Sequence, residues 1–345
     1  MTSGGKSLTD PPTNLKEAID WVLRVSGRDN GQENGEGIKG LAKELIKLLD
    51  KDGSTLASEV SGIFSKARSG LQSATQKDAR EAFMLKSYLS DITRYGKTLS
   101  EDVIVHLKEA LDKDVSRTGG PSGGPISKLA DGLKKFVGKN AGIGGSNYES
   151  SYNSVSESWN SLTTDQHRDC ALILLGIMPV LYFGLSYLYW WCTADSSSDP
   201  GWAQHKIDGS GGTTTQNQQA LKTFLTNVGF SETSELNQTK KGSDIVTSLS
   251  GFTELQTRGK DVKESYSKFL GELQKAELKS SSTSSPLTSL YLLSYYYITY
   301  PLYDVQPTSP ATPSFLGYSG TAALAGGAYG FNLGGLGTVM SALLA

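Results

Sequence analysis

His106, His167 and His205 are the only histidines of the chain. Metal binding and nucleophilic catalysis need imidazoles at short helical spacing, or beside a nucleophile and an acid. These three are scattered, and no H-x-x-x-H pair occurs. His106 falls in a helical stretch and reads as a surface or core-edge residue. Gly142-Ile-Gly-Gly145 looks like part of a phosphate-binding turn, but the third glycine is missing and no strand leads into it. It reads as a loop. No P-loop, G-x-S-x-G, kinase or metalloprotease signature appears. Asn237-Gln-Thr239 matches a glycosylation sequon, a short motif common by chance. No catalytic, cofactor-binding or metal-binding residue can be assigned, so the chain reads as a binding protein and not an enzyme.

The two cysteines, Cys170 and Cys192, bracket an uncharged stretch, 170–192. It is long enough to span a bilayer as one helix, which needs about 20 residues. Tyr187, Tyr189, Trp190 and Trp191 crowd one end, as an interfacial belt would. In one straight helix the cysteine Cα atoms would lie roughly 33 Å apart, at about 1.5 Å per residue. A disulfide needs about 4.4–6.8 Å. A Cys170–Cys192 bridge therefore requires a hairpin bent near Pro179–Gly184. That bend, with Gly176 as a further weak point, is the expected form, and the cysteines are a candidate disulfide.

The elements that carry these residues are helical. Pro11-Pro12 bars an earlier start, and Asn14 followed by Glu17 has capping-box spacing. Leu15, Ala18, Ile19, Val22 and Leu23 then form one apolar face, with Trp21 off the stripe as a second contact point. Stripes of the same period begin at Ile38, Leu56, Leu85 and Val103. Short polar connections make 14–115 a small antiparallel bundle. The Gly/Pro/Ser run 118–125 is the clearest break, followed by a short helix, 126–137. Further helices are expected from Leu221 to Val228, over 244–252 and over 262–278. The tyrosine-rich stretch 287–303 suits a buried helix whose hydroxyls reach partners.

Charge is uneven: 171–193 and 305–345 lack Lys and Arg, and acids occur in neither. The net charge of −2 gives no electrostatic footprint for nucleic acid. Within the Gly/Ala-rich apolar end, 314–345, Gly326, Gly330 and Gly334 repeat every fourth residue. On a helix they would share one face and permit close packing. The N-terminus has no apolar run of the signal-peptide type.

Five stretches run in order along the chain: Pro11-Pro-Thr-Asn-Leu-Lys-Glu-Ala-Ile-Asp-Trp-Val-Leu-Arg-Val-Ser-Gly27, Gly40-Leu-Ala-Lys-Glu-Leu-Ile-Lys-Leu-Leu-Asp50 and Leu129-Ala-Asp-Gly-Leu-Lys-Lys-Phe136, then the 170–192 segment and Pro307-Thr-Ser-Pro-Ala-Thr-Pro-Ser-Phe-Leu-Gly-Tyr-Ser-Gly320. Together they resemble the variant erythrocyte surface antigen family of Babesia. The resemblance implies an antigen on the infected erythrocyte, acting in antigenic variation and adhesion to endothelium. It implies a related second subunit as partner, membrane association, and export without a conventional signal peptide. Family members are larger and carry an anchor and tail, so a chain ending at Ala345 reads as a short or truncated member.

The expected architecture is mainly α. It comprises an N-terminal bundle (1–117), a loose Gly-rich region with one short helix (118–147), and a C-terminal helical domain (148–345) with apolar segments 170–192, 287–303 and 314–345. The competing expectation is an integral, channel-like membrane protein with spans at 170–192 and 314–345.

Overall fold

The computed structural model describes residues 6–29, 35–49, 54–74, 101–116, 123–138, 142–152, 157–193, 201–208, 220–231, 235–252, 255, 266–279 and 286–299. All of them fall in the compact unit Met1–Asp304. The expected helix around Leu85, the proline-rich stretch after Pro301 and the glycine repeat Gly326, Gly330 and Gly334 lie outside the described residues.

Helix α1 (Leu15–Val25) starts where its spacing predicts. Asn14 is extended, and its side chain accepts the Glu17 N–H at 2.9 Å. Glu17 reaches back one residue further than a capping box requires, accepting the Thr13 N–H at 2.7 Å and the Thr13 hydroxyl at 2.8 Å. The helix closes on Gly27, whose φ of 72° only glycine adopts cheaply. There the Arg28 N–H bonds Leu23 O and the Gly27 N–H bonds Arg24 O, which satisfies two end carbonyls. Trp21 is fully buried, and its indole N–H donates to Leu8 O at 2.8 Å.

Helices α2 (Glu36–Leu49), α3 (Ser54–Ala74), α4 (Glu101–Ser116) and α5 (Pro125–Phe136) follow, each burying its apolar stripe. The long helix α6 (Thr164–Thr193) is the spine. Then come α7 (Ala220–Asn227), α8 (Gly242–Ser248), α9 (Tyr266–Lys279) and α10 (Pro286–Thr299). Among the described residues there are ten α-helices and no strands, so the chain is mainly α.

Helix α6 packs against α1, α2, α3, α8 and α10. Helices from both sides of the Gly/Pro/Ser run thus share one apolar core with it. The Tyr-rich stretch is a core helix: in α10, Tyr291 and Tyr295 are fully buried, and Tyr291 lies 4.9 Å from the Tyr182 ring. The Ser294 hydroxyl donates to Leu175 O.

The expected hairpin is corrected by the structure. Helix α6 runs unbroken through Pro179, and Cys170 and Cys192 are buried free thiols. With one helix between them, the Cα atoms are about 33 Å apart, far beyond disulfide reach. The glycines taken for weak points are points of close approach instead. A Cβ on Gly176 would sit 2.4 Å from Ile63 Cγ2, and one on Gly184 would sit 2.9 Å from Leu15 Cδ1. Packing across those gaps offsets the single hydrogen bond that Pro179 removes.

Burial raises both thiols, Cys170 to about 12, so neither forms a thiolate at neutral pH. The expected result is one intact mass with and without reductant, and alkylation only after denaturation. A mass gain on reduction would disprove the continuous helix.

Length and composition would let α6 cross a membrane, yet 94% of its most apolar window is buried inside the protein. A span would turn much of that surface to lipid. In this fold the helix is sheathed by others.

Candidate functional site

The three histidines sit on separate elements. His106 Nε2, on α4, is 3.6 Å from Glu277 Oε1 of α9. His167 stacks on Trp159 at 4.2 Å, with Nε2 2.9 Å from Trp159 O. His205 is buried in a loop, and burial lowers its pKa. No group of three metal-ligating side chains forms among the described residues. The features that organise this region are a buried ion-pair hub, two loop pairings and an aromatic corner.

The hub is Lys16, buried on α1. Its ammonium donates to Asp20 Oδ2 at 2.8 Å, Glu149 O at 2.9 Å and Ser151 Oγ at 3.2 Å, and lies 3.5 Å from Glu235 Oε1. Asp20 is fully buried and also accepts the Tyr148 hydroxyl at 2.5 Å and the Ser151 N–H at 2.9 Å. Burial and the Asp20 carboxylate push the Tyr148 phenol well above its usual range, which keeps it a donor. One side chain thus ties α1 to residues 148–151 and to Glu235.

Residues 235–243 are zipped to two other loops. The Gly145 N–H bonds Glu235 O and the Asn237 N–H bonds Ile143 O, around an antiparallel bridge between Gly144 and Leu236. Gly142–Gly145 is therefore a pairing loop; a Cβ on Gly144 would lie 2.1 Å from Val137 O. The second bridge joins Lys206 to Lys241. Asn237 turns on itself, its Oδ1 accepting the Thr239 hydroxyl at 2.8 Å and the Thr239 N–H at 3.2 Å.

The aromatic corner caps the C-terminal end of α6. Trp202 stacks on Trp191 at 5.3 Å, and its backbone N–H donates to Trp191 O at 2.7 Å. Trp190 meets Trp191 edge-on at 5.0 Å, while Tyr187 and Phe224 close the inner side. Trp190 and Trp191 are half-buried, so the corner opens outward through them.

Two buried carboxylates carry no motif. Asp114 on α4 caps α5 from outside, accepting the Ile126 and Ser127 N–H groups at 2.8 and 3.1 Å and the Ser127 hydroxyl at 2.6 Å. The residue at the cap position, Gly124, has no side chain to do this. A Gly-Pro helix start, lacking its own cap, was the only sequence signal for such a partner. Glu277 is buried between α9 and α10 and accepts the Ser289 hydroxyl at 2.6 Å.

Burial raises the Glu277 carboxyl, against the Ser289 hydrogen bond and the charges of His106, Lys113 and Lys128. From the ordinary glutamate value up to the raised one, the folded chain holds a proton the unfolded chain has lost. Stability therefore falls as pH rises through that window. Burial raises Asp114 in the same direction. Glu277→Gln is expected to keep the Ser289 contact, hold or raise neutral-pH stability, and flatten the slope. Urea melts across the window check this; an unchanged slope would refute it.

Residues 138–243 match the family described as Variant erythrocyte surface antigen-1. No curated protein and no solved structure matches the chain. The matched stretch holds the pairing loops, α6, the aromatic corner and α7, and the match is consistent with a member of that family.

Proposed function

We propose that this chain, similar over residues 138–243 to the variant erythrocyte surface antigens, is a surface antigen of the infected erythrocyte. Its work is recognition by protein surfaces: antigenic variation, adhesion to a host endothelial receptor, and association with a related second subunit. The observation that carries the reading is the match itself, which falls on the core spine and on the loops that lock it in place. Antigenic variation needs a fold whose exposed faces can change while its interior holds. Surface substitutions typically move stability by about 0.5 kcal/mol or less. The outer faces of α2 and α4, rich in Lys and Glu, can vary on those terms around a buried α6.

Membrane association would then come through the assembled partner or through residues other than α6, which is enclosed. The test is antibody against the described unit applied to intact infected erythrocytes, with and without surface protease. Labelling that protease abolishes is expected. Labelling only after permeabilisation would overturn the proposal.

A further inference from the structure

We propose that Lys206 and Lys241, beside the aromatic corner, form a binding site for a sulfated or carboxylated polysaccharide. The proposal gives the adhesion reading a ligand class and rests on that reading for its biological setting. The backbone geometry defines the pair. The Ile207 N–H bonds Lys240 O at 2.9 Å and the Gly242 N–H bonds His205 O at 3.1 Å, so the bonds flank Lys206 and Lys241 instead of joining them. In an antiparallel bridge this is the narrow pairing, with Cα atoms about 4.5 Å apart and both side chains on one face.

Like charges directly opposite one another weaken a strand pairing. Neither ammonium has a carboxylate partner among the described residues. Asp244 is close in the chain, but one carboxylate oxygen accepts the Lys241 N–H at 2.8 Å, and Asp208 lies two residues beyond Lys206. Two half-buried lysines opposite one another on one face of the pairing offer two positive charges to an anion.

The surroundings narrow the anion. Gly242 sits directly on Trp202, since a Cβ there would lie 2.1 Å from Trp202 O. The approach is to the Trp202 backbone carbonyl, and the Trp202 ring in turn stacks on Trp191, which meets Trp190 edge-on, so the lysine pair and the half-buried indoles are carried by one connected stretch of backbone. Indole faces pack on the apolar C–H faces of sugar rings, while the ammoniums take the sulfate or carboxylate groups. The same corner holds two buried polar atoms without partners, Trp191 Nε1 and His205 Nδ1. Buried polar groups are normally paired, which marks this corner as built for polar company. A lipid surface fits less well. It would need protruding apolar side chains, and the exposed large ones among the described residues, Val105 and Leu278, lie on α4 and α9.

The test uses the full chain on immobilised heparin, hyaluronate and neutral dextran, and with phosphatidylserine vesicles. Binding to heparin or hyaluronate, weakening with salt, is expected, and the one that binds tells sulfate from carboxylate recognition. K206E/K241E should lose about tenfold or more in affinity. K206Q/K241Q should lose less, and it decides the matter if the reversal fails to fold by circular dichroism. K43E/K47E makes the same change of net charge on exposed α2 and should bind as wild type. Equal binding by K206Q/K241Q and wild type, loss in K43E/K47E as well, or binding to vesicles alone would each overturn the proposal. Absence from the cell surface would not, because these are measurements on purified protein.

Discussion

Lys16→Met is expected to destabilise the fold by about 3–5 kcal/mol, the usual cost of stranding one member of a buried ion pair. Asp20 is fully buried, and in the variant its charge would keep the Tyr148 hydroxyl and the Ser151 N–H but lose its counter-ion. Hydrogen bonds alone do not neutralise a carboxylate removed from water. The double variant Lys16→Met/Asp20→Asn should recover a substantial part of the loss, because the stranded charge is gone. Urea melts of the wild type, both single variants and the double variant form a cycle that isolates the pair. A loss below about 1 kcal/mol for Lys16→Met would mean water reaches Asp20, and the hub would be a surface pair.

The second large effect is expected at Trp21. Trp21→Ala should cost about 3–5 kcal/mol, since it empties a large volume within the core. Trp21→Phe keeps an aromatic ring in the core while dropping the hydrogen bond to Leu8 O, worth about 1 kcal/mol, and a smaller part of the volume, so it should cost clearly less than Trp21→Ala. The ring also fastens the stretch before Pro11 to α1, because Leu8 is itself buried. Chemical denaturation measures both. If Trp21→Ala lost no more than Trp21→Phe, the indole would act through its hydrogen bond alone and the cavity argument would fail.

The two variants bear on the same question, which is how α1 is held. Lys16 ties it to the loops at 148–151 and 235, while Trp21 ties it to the chain's beginning. The residues are five positions apart and their partners are distinct. Near-additive losses are therefore expected in the double variant.

Much of this protein was legible one helix at a time. Leu15, Ala18, Ile19 and Val22 announce α1 by period, Asn14 and Glu17 announce its start, and Gly27 announces its end. Each signal acts within a turn or two, where backbone geometry is set by near neighbours. The burial of α10 was legible too, since its tyrosines suit a packed interior better than lipid.

The course of α6 was decided by tertiary structure. Pro179, Gly176 and Gly184 carry local breaking tendencies, but the helix stays whole because Ile63 and Leu15 fill the space the glycines leave. Those partners come from more than a hundred residues away, and no local pattern names them. Nor does a local pattern name Asp114 as the cap of α5, Glu235 as a partner of Lys16, or Lys241 as the residue facing Lys206. Composition and periodicity determine which helices form, because those depend on short-range geometry and on which face is apolar. Which charges are buried together and which glycines become contacts depends on how the helices meet, and only the folded core decides that.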